Sequence, residues 1–426
     1  MEYKRTELKK GVGFTLVTDK KFKNDLTYIA FRTGTGGEGA SFASLLTGVL
    51  TCADGKYQSL YAINRALDAL YDAQLNGRVM RSCFEHVPAF YIRTLNNRYA
   101  YDGTDIRAGG LGILSDVIFD PYMKNGLLCP SNVESEKKQL ADAIRSIKND
   151  RGAYAERRCL CSMFEDEPEF SPKYGSEADV AALTAGSLTQ YYKNMLENAA
   201  VEIVTVTGED GVAAMEYALS VAEKLGDRKT GRVYKLPGEF DGTVKRTEES
   251  EQVSQSVLCI GCDTGTEPFG KDSQIYAVYD EIFGHSATSR LFKNVREKLS
   301  LCYYCGTTSY AGLRKTVIRA ELDAKNRDRA EEEIFRQLEL MKTELSEDEL
   351  GDGKRSLCSN CLSGTDSLSF TAGWYLARAL SGAETISPLE YIERIKSVTR
   401  EQVFAAAAKV RPAAVYFMRG AASDVL

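Results

Sequence analysis

One short run pairs two side chains that could handle a carbonyl group. In Leu291-Phe292-Lys293-Asn294-Val295-Arg296-Glu297-Lys298-Leu299-Ser300-Leu301-Cys302-Tyr303, an arginine precedes a tyrosine by seven residues. A guanidinium is a rigid fork of donors, and a phenol can donate to a carbonyl oxygen. Together they could hold a peptide carbonyl and stabilise an oxyanion as a tetrahedral intermediate forms. The plainer reading is a surface arginine paired with a carboxylate and a strand tyrosine half in a core. On the residues alone the plainer reading is favoured.

The other chemical candidates are thinner. Zinc hydrolysis needs nitrogen or carboxylate ligands on a rigid element and a general base beside the bound water. Only two histidines exist, His86 and His285, and neither lies in an H-x-x-E-H or H-E-x-x-H frame. Both are expected in turns, His86 at the surface or half buried. Cys259/Cys262, Cys302/Cys305 and Cys358/Cys361 have C-x-x-C spacing. A zinc knuckle needs a tight turn, whereas the first two pairs lie in strand-like sequence and the third is one helical turn apart. Structural thiols are the expectation, with a metal or redox site left open. The run Thr33-Gly34-Thr35-Gly36-Gly37-Glu38-Gly39 could turn around a phosphate, but the Lys-Ser/Thr ending of a P-loop is absent. No nucleophile elbow is present.

These residues sit in a chain of 426, long for one core and comfortable for two domains of about 200 residues each. Net charge is −6, from 54 Lys+Arg against 60 Asp+Glu, with no basic block to recruit nucleic acid. No signal peptide and no long apolar span are visible, so no membrane partner is expected. Eleven cysteines without an export signal suggest a reduced, cytoplasmic protein.

The elements that must position the candidates read in two rounds. Val12 to Val17 and Leu26 to Phe31 suggest a hairpin. Ala40 to Leu50 is a small-residue buried helix, and Ser59 to Tyr71 is amphipathic through Leu60, Ile63, Leu67 and Leu70. Ser131 to Glu134 looks like a capping box opening a helix with Leu140, Ile144 and Ile147, and Ser187 to Gln190 like another. Ala200 to Thr207 is strand-like. Lys224 to Glu251, rich in glycine and charge, reads as a linker. Then strand Val257–Gly261, the Arg296 helix, strand Thr316–Leu322, the Ser387-Pro388-Leu389-Glu390 capping box and strand Ala413–Met418 repeat the earlier order. This is an α+β fold of two homologous domains, each a mostly antiparallel sheet packed against helices. The expected spans are 1–222, a linker 223–252, and 253–426.

The run Ser289-Arg290-Leu291-Phe292 with Arg296-Glu297-Lys298-Leu299 and Tyr303 resembles the signature of the insulinase/pitrilysin metallopeptidase family, the inverzincins. The resemblance spans nearly the whole chain and implies the fold just described. The family's H-x-x-E-H helix is similar to Ser44-Leu45-Leu46-Thr47-Gly48. Ser44 and Gly48 stand where the histidines belong, and Thr47 where the glutamate base belongs. Glu134, ahead of Glu136-Lys137, stands near the third-ligand position, though its capping box explains it without a metal. The resemblance therefore implies no metal on this chain, and zinc on a partner.

In two-chain members of the family one subunit carries zinc and the other an arginine and tyrosine. The resemblance thus implies a bacterial, non-zinc-binding subunit that supplies Arg296 and Tyr303 in trans to a homologous zinc-bearing peptidase, inactive alone. The alternative is an inactive scaffold or peptide-binding protein, with a link to elongation factor P modification. An autonomous peptidase with an unusual site is a third. Expected partners are the zinc-bearing homologue and a peptide substrate. Self-association is expected in the homologue's absence.

Overall fold

The computed structural model describes residues 1–34, 39–167, 169–228, 237–238, 240–253 and 255–420. Part of the glycine-rich run (35–38) and part of the expected linker (229–236 and 239) lie outside the described residues. Two compact units form. The first holds residues Met1–Arg145, Ser171–Lys235 and Gly364–Thr385, and the second Ser146–Phe170, Leu236–Ser363 and Ile386–Leu426.

The strands in chain order are β1 Glu2–Lys9, β2 Val12–Thr18, β3 Asn24–Arg32, β4 Gln74–Ser82, β5 Glu85–Leu95, β6 Met123–Lys124, β7 Leu127–Leu128, β8 Ala200–Thr207, β9 Lys245–Glu251, β10 Ser256–Asp263, β11 Tyr304–Tyr310, β12 Lys315–Leu322 and β13 Arg411–Gly420. The first unit's sheet runs β1-β2-β8-β3-β5-β4, and the second's runs β11-β12-β10-β13-β9. Reading the second backwards exposes the repeat. The order β2-β8-β3-β5-β4 matches β9-β13-β10-β12-β11, and β2–β8 and β9–β13 are the parallel pairs in otherwise antiparallel sheets. The α+β architecture expected from the sequence is the observed one.

Burial explains the strands. β8 and β10 are buried at every residue, as strands covered on both faces must be. In the first unit one face packs Phe14, Ile29, Phe31 and Phe90 against helix residues Leu46, Leu50, Leu114 and Leu188. The other face, with Tyr28, Ala30 and Val204, is covered by Ala372, Tyr375 and Leu376 of helix Leu368–Ser381. In the second unit Leu258, Ile260 and Phe417 meet Val278, Ile334 and Val403. The opposite face meets Ala155 and Cys159 of helix Arg151–Met163. Each unit thus takes one helix from the other half of the sequence, so the packing units are not the contiguous spans 1–222 and 253–426. Propensity and periodicity are local and carry no sign of which sheet a helix covers.

Other local expectations also change. β2 and β3 form no hairpin, because β8 lies between them and β2 pairs instead with β1. Helix Pro130–Ser146 begins at Pro130, so Ser131 is inside the helix and does not cap it. The box near Ser187 is Thr184 with Ser187, while the Ser387/Glu390 box with Pro388 is as expected. Residues 245–251 of the expected linker form edge strand β9. Among the described residues no helix is long and apolar enough to cross a membrane.

Candidate functional site

The helix Gly39–Cys52 carries Ser44, Thr47 and Gly48. Its small residues let it lie close to the sheet. A Cβ on Gly77 of edge strand β4 would stand 2.6 Å from the Thr47 carbonyl oxygen. The hydroxyls in the helix are engaged with backbone. Ser44 Oγ donates to the Lys173 carbonyl at 3.3 Å, and Thr47 Oγ1 donates to the Ser44 carbonyl at 2.8 Å. At Gly48 the space for a side chain is filled from outside, since a Cβ would lie 2.5 Å from Glu136 Oε2. Burial pushes the Glu136 carboxyl above its usual range, and Gln139 donates to it at 3.0 Å.

The carboxylate over this frame is therefore Glu136. Glu134 has a side chain 62% exposed and pairs with Lys137 at 3.4 Å. Two residues turn a helix by about 200°, so positions 134 and 136 cannot share a face. The signal was present in the spacing, because Val133, Leu140 and Ile144 define the inward stripe and Glu136 falls on it while Glu134 does not. A zinc ion does not fit this set. It would find an absent side chain at Gly48, two hydroxyls already donating to carbonyls, and one carboxylate, where a catalytic site needs three nitrogen or carboxylate donors. Among the described residues no group of three or more His, Cys, Asp or Glu is arranged to hold a metal ion.

In the second unit the signature run Leu291–Lys298 is a wide, π-type helix, a form that recurs at functional sites. Leu291 and Val295 are buried and anchor it. Its front is clamped by Arg290, whose Nε and Nη2 donate to the two Glu349 oxygens at 2.8 and 2.9 Å. Arg296 faces outward, with its guanidinium 4.5 Å from the Phe292 ring centroid, a cation–π contact that orients it. Ser300 then takes a left-handed φ of 50°, turning the chain sharply toward β11. Tyr303 N–H donates to the Glu321 carbonyl at 2.7 Å, which fixes the tyrosine at the mouth of β11. The residue is 56% exposed, and its hydroxyl donates to Asp323 Oδ1 at 3.2 Å. The Asp323 charge pushes the phenol above its ordinary value, so Tyr303 is a protonated donor at neutral pH. The structure thus brings Arg296 and Tyr303 to one helix–strand junction, both exposed.

The histidines divide. His285 is exposed at the end of the π-helical turn Glu281–His285. His86 is not the surface or half-buried turn residue expected. It lies within β5 at 0% exposure, with Nε2 3.0 Å from Arg81 Nη2, and burial with the Arg81 charge pushes its pKa down to about 3. The neutral ring is packed within the sheet against Arg81, and β5 begins at Glu85, ahead of Pro88, which pairs in register with Val79 of β4. Cys259 and Cys262 lie on opposite faces of β10, in different core clusters, as strand spacing requires.

Residues 182–357 match the family described as "Peptidase M16 inactive domain". A Bacillus subtilis protein named "Probable inactive metalloprotease YmfF" is 24% identical over 414 residues, covering 96% of each chain. A Rickettsia felis protein named "Uncharacterized zinc protease" is 21% identical over 309 residues, covering 70% of this chain and 71% of that one. Among solved structures, a conserved protein from Enterococcus faecalis superposes with a TM-score of 0.89 at 23% identity over 100% of both chains. A peptidase M16 inactive domain from Pseudomonas fluorescens superposes with a TM-score of 0.81 at 17% identity over 99% of both. With its duplicated α+β units and a first helix that lacks the zinc donors, the chain is a homologue of inactive metalloproteases of the peptidase M16 kind, similar to one of them over nearly its full length.

Proposed function

We propose that this chain is the non-zinc subunit of a two-chain peptidase, working with a homologous partner that carries H-x-x-E-H. The reading rests on one contrast. Ser44, Thr47 and Gly48 hold nothing a metal needs, while Arg296 and Tyr303 stand exposed at a single junction. In this reading Arg296 and Tyr303 reach a peptide carbonyl bound near the partner's metal. Tyr303, protonated, donates to the oxygen as negative charge develops on it, and Arg296 supplies positive charge from a fork held by Phe292. An extended peptide would add to a free sheet edge, for which β4 beside helix Gly39–Cys52 is suited. Zinc belongs to the partner, and none to this chain.

The test is co-expression with the zinc-bearing homologue and assay of peptide hydrolysis. Tyr303→Phe and Arg296→Gln should each lower kcat of the pair without preventing assembly. Wild-type activity in the Tyr303→Phe pair contradicts the proposal.

One observation favours a second reading, a catalytically silent scaffold or peptide-binding protein tied to elongation factor P modification. Both groups already have partners within the chain, Tyr303 in Asp323 and Arg296 in the Phe292 ring. A pair inactive on all peptides, with the chain still required for the modification, supports this reading over the first.

A further inference from the structure

Two connections of the first unit meet at one end of its sheet. One runs from helix Leu60–Asp68 into β4, and the other from β5 to helix Ile106–Phe119. Gln74 at the start of β4 pairs with Arg93 near the end of β5, which brings them together. Tyr71 takes a left-handed φ of 59° and Asp72 one of 60°, so the chain turns sharply before β4. The Tyr71 hydroxyl reaches the second connection, where it donates to Asp102 Oδ1 at 2.8 Å and accepts the Tyr101 N–H at 3.1 Å. Asp102 Oδ1 also accepts the Thr104 N–H at 3.0 Å. The Tyr71 and Tyr101 rings stand edge to face, with centroids 5.4 Å apart. Tyr101 is 90% exposed, the largest value among the exposed large hydrophobic residues described, ahead of Tyr61 at 72%. Single exposed tyrosines are ordinary on a surface. Here three hydrogen bonds and a ring contact hold one in place, which removes much of the ordering cost that a partner would meet.

The surroundings carry one sign of charge. Residues 68–72 and 99–105 contain Asp68, Asp72, Asp102 and Asp105, all exposed, and no lysine or arginine. The Thr104 donors and the Tyr71 hydroxyl lower the Asp102 pKa, so this carboxylate is ionised at neutral pH. The arginines that bracket the second connection are committed elsewhere. Arg98 donates to the Phe22 carbonyl at 3.2 Å with its guanidinium 4.9 Å from the Tyr99 ring centroid, and Arg107 is paired with Asp25 and Glu209.

We propose that this tyrosine–aspartate surface docks a partner protein through an exposed arginine or lysine side chain, with the cation on the Tyr101 ring and beside the Asp102 carboxylate. An aromatic face attracts a cation, and the neighbouring carboxylates complement its charge. Arginine fits best, because a planar guanidinium can stack on the ring while its edge donates to a carboxylate. An apolar partner would instead cover the carboxylates without pairing them, at a cost in desolvation. Ser44, Thr47, Gly48, Arg296 and Tyr303 take no part in this surface, so it stands or falls separately from the proposed peptidase.

The test measures binding of dye-labelled peptides to the full chain by fluorescence anisotropy. One peptide alternates arginine with glycine, and two controls replace the arginines by glutamate or by leucine. The arginine peptide should bind and the glutamate peptide should not. Tyr101→Ala should weaken the arginine peptide on the order of 3- to 10-fold, with an unchanged thermal melt because the ring is exposed. Asp102→Asn, which keeps an acceptor for Tyr71, should also weaken it, and so should added salt. In NMR spectra of the chain with labelled tyrosine rings, the signal lost in Tyr101→Phe should be one that moves when the arginine peptide is added. Absence of binding overturns the proposal. Equal binding to wild type and Tyr101→Ala also overturns it, and would mean that the net negative charge of the chain alone attracts the peptide. Preference for the leucine peptide overturns it as well, by making the face an apolar interface.

Discussion

Glu349→Gln should loosen the signature helix, by an amount the geometry allows to be worked out. Glu349 takes both oxygens of its carboxylate into a forked contact with Arg290, at 2.8 and 2.9 Å. It also accepts the Ser346 N–H at 3.0 Å, capping the helix Glu347–Gly364. Burial acts to raise its pKa, but the Arg290 fork and the Ser346 donors outweigh burial and lower it from 4.5 to about 2. At about 1.4 kcal/mol per unit the shift corresponds to roughly 3 kcal/mol. The side chain is 30% exposed, so solvent screening reduces this to about 1.5–3 kcal/mol. Because the folded pKa is depressed, the contribution is present above the unfolded carboxylate value and is lost as pH falls from about 4.5 toward 2. Glutamine keeps the shape and an acceptor for Ser346 but loses the charge. Hydrogen exchange of the Leu291–Lys298 amides reads the local opening, which a single melting temperature of a two-unit protein does not resolve. At pH 7 protection should fall by about 10- to 100-fold in Glu349→Gln, and the gap should narrow near pH 3. Equal protection at pH 7, or a gap that ignores pH, refutes the reasoning.

Gly48→Ala should be neutral or stabilising by up to about 1 kcal/mol in thermal melts, because alanine favours the helix and the obstructing atom is the movable end of Glu136. A large loss of stability would mean that Glu136 cannot move aside. Asp280 is buried, and burial pushes its carboxyl up to about 6. Its penalty is absent below about pH 4, grows as pH rises from about 4 to 6 and is full above that, so Asp280→Asn should stabilise the protein by about 1–3 kcal/mol at pH 7 and little at pH 4, measured by denaturant titration. Tyr303→Phe should leave the far-ultraviolet circular dichroism spectrum unchanged, since the lost bond to Asp323 is exposed, while cutting kcat of the proposed two-chain peptidase on the order of 100-fold, as loss of one oxyanion donor does.

The sequence was most informative where chemistry is local. The strands around Val257 and Ala413 and the Ser387 capping box were legible from residue type and spacing. What was not legible depends on long-range pairing. β8 comes from far along the chain to separate β2 from β3, and helices Leu368–Ser381 and Arg151–Met163 cover sheets of the opposite half. No local pattern encodes those choices. Glu136 was missed for a different reason: motif position was allowed to outweigh helical phase, which already excluded Glu134 from the inner face. His86 was misplaced because the proline two residues on was read as a turn signal rather than as part of a strand.

The proposed function divides the active centre between two chains, with the metal on the other one. Zinc analysis of the isolated chain and of its complex with the H-x-x-E-H homologue tests it most directly. The account predicts sub-stoichiometric zinc in the isolated chain, and zinc in the complex that follows the partner and survives Ser44→Ala and Glu136→Gln in this chain. Stoichiometric zinc in the isolated chain, lost on Glu136→Gln, would contradict it.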